Sequence, residues 1–131
     1  MPVHYEIDRK RSRIRTACSG LVTFEAVVEH FRTLAIESDL PAPLDVLLDL
    51  STIASAPDAR QIQRVAEEIA RMPGKIRFGL CAIVAPSDLV FGVGRVLEVR
   101  AEESFRAIQV FRDPAAAEAW LDAERARRGP A

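Results

Sequence analysis

The chain has 131 residues, 49% of them hydrophobic and 28% charged, with a formal net charge of -1 at pH 7. That length fits one domain burying roughly two thirds of the surface its unfolded form exposes, and the composition excludes a disordered chain. The near-neutral balance gives no global attraction to nucleic acid or to a membrane surface, so no nucleic-acid partner is expected.

Val3, Tyr5 and Ile7 alternate with His4, Glu6 and Asp8, and Ile14, Thr16 and Cys18 alternate with Arg13, Arg15 and Ala17. Period two on both sides of a short polar break predicts a β-hairpin with "DRKRS" as its turn. The basic residues crowded from Arg9 to Arg15 lack interleaved aromatics, and read as a solvated turn with edge-strand charges that discourage aggregation. Thr23 then stands where an N-cap belongs, ahead of an apolar helical stripe made by Phe24, Val27, Val28, Phe31, Leu34 and Ala35.

"LPAP" at 40–43 breaks the chain, and "LDVLLDL" at 44–50 reads as a strand covered on both faces. Asp58 and Gln61 form a capping-box pair opening a helix whose Ile62, Val65, Ala66 and Ile69 recur at helical spacing, with Pro73 and Gly74 ending it. "IRFGLCAIVA" at 76–85 is the expected central strand, and residues 88–101 a third helix. "FRAIQVF" at 105–111 is the last strand, followed by a helix with Asp113 as N-cap and Pro114 in its first position.

The order β-β-α-β-α-β-α-β-α defines a single α/β domain over 1–131. Its sheet is mostly parallel and packed by helices, with one antiparallel N-terminal hairpin strand at an edge. The longest apolar run, Phe78 to Pro86, is far short of the about 20 residues of a spanning helix, and Met1 to Asp8 has no signal-peptide character. A cytoplasmic protein with no stable membrane insertion is therefore expected. Cys18 and Cys81, isolated in apolar strands, read as buried reduced thiols.

Motif chemistry is sparse. His4 and His30 belong to no metal-ligand spacing, and "GVGRVL" at 92–97 lacks the third glycine of a dinucleotide loop and lies inside a helix. No catalytic residue, metal or cofactor is expected. Asp49 and Ser51 fall near the C-terminal end of their strand, where open α/β sheets bind ligands, and equally suit a turn cap. Ser87 fits an N-cap and Asp88 the positive end of the helix dipole. Gly92 and Gly94 each cost about 1 kcal/mol in a helix interior, which close packing, an apolar ligand or a partner helix would offset. Phe91 and Arg95 share a helix face. Free N–H groups at 87–90, with Arg95 reaching back, would suit an anion, although Asp88 competes for the same field.

Two stretches carry a family resemblance. Ile83 to Asp88, Gly92, Arg95 and Glu98, then Val110 to Asp113 and Ala119 to Leu121, with "VLLDLS" at 46–51, resemble the SpoIIAA-like family of small bacterial proteins related to the STAS and SEC14 folds. The resemblance covers most of the chain and implies a sheet of four or five strands packed by helices, with no enzyme activity. STAS relatives that act as anti-sigma-factor antagonists are switched by phosphorylation of a serine in a D-S-S-G-like stretch after a strand ending in D-L-S. This chain departs from that, with Asp58 and Ala59 near where the serine and its neighbour would fall and Ser51, Thr52 and Ser55 as the nearby hydroxyls.

The expected function is a non-catalytic binding or regulatory module. It would hold a protein partner or a small apolar or anionic ligand at a strand-to-helix rim built from Asp49, Ser51, Ser87, Asp88, Phe91, Gly92 and Arg95. The competing reading is a carrier or sensor of a lipid or other hydrophobic small molecule. Homodimerisation is expected on the ground that Phe24, Phe31 and Phe91 would not all fit inside.

Overall fold

The computed structural model describes residues 3–37, 39–55, 57–71 and 76–128. Among them the chain forms strands β1 (Val3–Asp8), β2 (Arg13–Gly20), β3 (Leu44–Ile53), β4 (Phe78–Val84) and β5 (Ala107–Phe111). The helices are α1 (Phe24–Ala35), α2 (Ala59–Ala70), α3 (Asp88–Arg100) and α4 (Pro114–Arg128), with a 3-10 turn at Glu102–Ser104 before β5. The sheet runs in chain order, β1-β2-β3-β4-β5, with β1 antiparallel to β2 and every other pair parallel. The expected edge hairpin and parallel body are both present. Pro73 and Gly74, expected to stop α2, lie outside the described residues; within them Arg71 caps that helix with a backbone N–H.

Alternation along β4 explains its unbroken apolar sequence. Leu80, Ala82 and Val84 turn to one face, where they pack with Ala117 and Leu121 of α4, while Cys81 and Ile83 turn to the other, with Ile62, Ala66 and Leu97 of α2 and α3. Helix starts follow the sequence closely. Thr23 Oγ1 accepts from Ala26 N, Ser87 Oγ from Val90 N, and Asp58 with Gln61 closes a reciprocal capping box. Asp113 Oδ2 accepts from Ala116 N at the head of α4.

Three features depart from expectation. Arg13 is not part of a solvated turn: its side chain is 1% exposed and donates to Glu118 and Asp122 of α4, each at 2.7 Å. Its neighbours are also engaged, Arg11 with Asp8 and Arg15 with both Asp8 and Glu118. Arg13 and Arg15 thus clamp β2 to α4, while Arg9, Lys10 and Arg11 stay exposed in the turn as expected. Gly92 has no packing reason, since a Cβ there would meet nothing within 4 Å, whereas one at Gly94 would lie 2.9 Å from Val110 Cγ1. The surplus aromatic surface expected to drive dimerisation is covered within the chain. Arg64 lies over Phe24 at 3.9 Å, Arg112 over Phe91 at 4.4 Å, and Phe31 turns inward.

Candidate functional site

Because β3 and β4 are parallel neighbours with Asp49 opposite Val84, their exits reach one rim. At that rim the polar groups engage one another. Asp49 Oδ1 accepts from Ser51 N at 2.9 Å and from Ser51 Oγ at 2.5 Å, a local contact inside β3, which runs on to Ile53 beyond its pairing with β4. Ser87 is occupied as the α3 cap. Asp88, 95% exposed, receives Arg112 Nη1 at 2.6 Å, and the same guanidinium donates to Pro86 O and lies over Phe91.

In the sequence Arg112 stands out only as part of the resemblance carried by "VFRD", not as a site residue. Its claim depends on β5 lying beside β4, which places its Cα at the same rim. Gly92 and Arg95 stand apart from this cluster, both exposed on α3, and Arg95 pairs with Glu98 at 3.4 Å instead of reaching back to the helix N-terminus. The arrangement needed for an anion between residues 87–90 and Arg95 is absent. No hydrogen bond or ion pair joins the Asp49–Ser51 group to the Asp88–Arg112 group among the described residues.

A second feature lies behind the rim. Between the sheet and the three helices α1, α2 and α3 is a cavity of about 160 Å³. Its floor includes Thr16 and Cys18 of β2, Leu48 of β3 and Cys81 of β4; Phe31 of α1 and Val65 of α2 stand over it. The end of β3 supplies Ile53 and the connection to α2 supplies Ser55 and Pro57, whereas Asp49, Ser51, Ser87, Asp88, Phe91, Gly92 and Arg95 stay outside. Thr23, Ser55 and Gln61 are the exposed members of this wall, so the cavity meets the surface between the β2–α1 and β3–α2 connections.

Among the described residues, the wall carries no aspartate, glutamate, lysine or arginine. Burial pushes the Cys18 thiol up to about 11, with the Asp49 carboxylate adding to it, and raises Cys81 as well, so both sulfurs are protonated near neutral pH. Burial also holds the His30 imidazole below its ordinary range, which leaves it uncharged near neutral pH. By its spacing the α1 stripe reads as core. Its Phe24, Val27 and Phe31 are instead only partly buried, because what lies beneath them is this space. Among the described residues, no group of three His, Cys, Asp or Glu side chains could hold a metal. No helix there is long and apolar enough to cross a membrane.

The chain has the SpoIIAA-like fold. A crystal structure of an uncharacterized protein from the DUF3478 family with a SpoIIAA-like fold, from Shewanella loihica PV-4, superimposes with a TM-score of 0.60 over 91% of this chain and 93% of that one. At 18% identity the likeness is one of fold. No family model matches the sequence, and neither does any curated protein.

Proposed function

We propose that this protein is a non-catalytic binding module whose ligand is a small, neutral, apolar molecule held in the cavity between α1, α2, α3 and the sheet. The observation that carries this reading is the cavity's wall, apolar and, among the described residues, without a formally charged side chain. Packed interiors rarely keep a void of this size, since its lining forgoes dispersion contacts. Its volume decides what it could take. Drug-sized ligands occupy about 300–1,000 Å³, whereas a dry apolar cavity of about 150 Å³ accepts benzene. A compact one-ring molecule fits about 160 Å³ and a two-chain lipid does not. An anion is disfavoured, because no cation among the described residues stands in the wall to offset its desolvation.

Toluene titrated into the protein tests this, read by methyl NMR and by thermal unfolding. Perturbation centred on Leu48, Val65 and Leu97, with a rise in unfolding temperature that Val65→Phe abolishes by filling the space, is the expected result. Unperturbed methyl signals at saturating toluene would remove the cavity from consideration.

A partner protein on α3 is the second reading, favoured by Leu89 and Val99, which are 68% and 61% exposed and flank Gly92. Unexplained apolar surface of this kind marks interfaces. Here a Leu89→Glu variant that lost a co-purifying protein, with the fold intact, would favour the outer surface over the cavity.

A further inference from the structure

The polar members of the cavity wall separate into two sets. Thr23 and Gln61 are committed to helix caps, Thr23 Oγ1 accepting from Ala26 N and Gln61 Oε1 from Asp58 N, and Ser55 stands at the exposed edge. Thr16 and His30 have no such commitment. Thr16 is only 5% exposed, yet its hydroxyl enters no hydrogen bond among the described residues. His30 makes ring contacts with Tyr5 at 5.3 Å and Phe31 at 5.4 Å, and no hydrogen bond among those residues.

Both groups belong to one end of the wall. Thr16 on β2 is directly opposite Tyr5 on β1, and the Tyr5 ring packs edge-on against His30 of α1. Tyr5 itself is anchored outward, its hydroxyl donating to Glu37 Oε2 at 2.9 Å. With no protein partner among the described residues, the Thr16 hydroxyl is left to the cavity that Thr16 lines, and valine, equally suited to a strand, would have put no polar atom there. An uncommitted hydroxyl and an uncommitted imidazole on an otherwise apolar wall are what a polar ligand atom would answer.

Resting on the cavity reading above, we infer that the ligand is a compact apolar molecule bearing one neutral hydroxyl, with a phenol as the simplest example, and that this hydroxyl is held by Thr16 and His30. A hydroxyl donates to one group and accepts from the other whichever imidazole nitrogen carries the proton, which a carbonyl cannot do. A carboxylate is unsuited, since no cation among the described residues lines the wall.

The test compares p-cresol with toluene, which differ by that hydroxyl, by calorimetric titration of the wild-type protein, Thr16→Val and His30→Phe. One or two neutral hydrogen bonds should make p-cresol bind roughly threefold to thirtyfold tighter than toluene to the wild type. In Thr16→Val that preference should fall by threefold or more while toluene affinity is kept, which also reports that the variant is folded. His30→Phe should narrow the preference likewise, and it serves alone if Thr16→Val does not fold. Equal binding of the two probes to the wild type, or a preference that survives both substitutions, overturns the hydroxyl anchor and leaves the apolar cavity reading standing. Failure of both probes to bind overturns the two together.

Discussion

A Cβ placed on Gly94 would stand 2.9 Å from Cγ1 of Val110 and 3.3 Å from Cγ2 of Ile83, so α3 lies against β4 and β5 at a distance that only a residue without a side chain permits. Gly92, two positions earlier, faces open space. Two glycines that look alike in the sequence therefore have opposite consequences.

Gly94→Ala should destabilise the protein by up to about 2 kcal/mol, because overpacking against stiff β-branched neighbours costs roughly 1–3 kcal/mol against the about 1 kcal/mol gained in helix propensity. Gly92→Ala should stabilise it by up to about 1 kcal/mol, having the propensity gain and no clash. Urea unfolding of the two variants checks this. A stabilised Gly94→Ala would mean that Val110 moves aside freely.

The elements are legible because each announces itself locally. Period two at 3–8 and 13–18, helical stripes after Thr23 and Asp58, and the charge-free run at 78–85 all correspond to observed strands and helices. What depends on chain segments meeting at a distance is not. Arg13 looks like its basic neighbours until α4, more than a hundred residues later, sets Glu118 and Asp122 against it. Arg112 gains its place only from the β4–β5 pairing. The cavity is the least legible feature, since it is a mismatch between the side chains of α1 and the floor beneath them, and hydrophobic spacing fixes which face turns inward without fixing how fully the space is filled.

The Arg13 clamp should be asymmetric under substitution. Removing both carboxylates, in Glu118→Gln with Asp122→Asn, leaves a buried guanidinium uncompensated, and the cost should approach about 3 kcal/mol, the low end for a broken buried pair because both acids are partly exposed. Arg13→Met removes the charge and its desolvation together and should cost less, about 1 kcal/mol or under. Denaturant unfolding ranks the two variants, and an equal loss in both would contradict a desolvation-controlled pair.

Stability should fall on the alkaline side through Cys18. Its thiol pKa is raised on folding from an ordinary 9.0 to about 11, so the native state keeps a proton that the unfolded chain gives up. Stability from this group is complete below pH 9 and is lost as pH rises from there toward about 11. A rise of that size corresponds to at most about 2–3 kcal/mol. Cys18→Ala should therefore lose less stability than the wild type between pH 8 and pH 10.5, with Tyr5, Cys81 and the lysines common to both. Identical alkaline slopes would show that Cys18 is not protected.

The rim contacts should prove weak. Arg112 and Asp88 are 50% and 95% exposed, so their pairing is screened and worth no more than about 1 kcal/mol, with the stacking on Phe91 adding about 0.5–1 kcal/mol. A double-mutant cycle of Asp88→Asn and Arg112→Ala should give a coupling below about 1 kcal/mol that vanishes at high salt, as expected for exposed charges. Arg95→Ala should change stability by less than about 0.5 kcal/mol, its Glu98 pair being a single-turn surface contact. Weak coupling would mean that Arg112 can leave Asp88 at little cost. The rim would then be free to present both charges, together with the exposed Leu89 between the cap and Gly92, to an incoming surface. A coupling of about 2 kcal/mol or more, far above the usual range for exposed pairs, would instead make the bridge a structural fastening of β5 to α3.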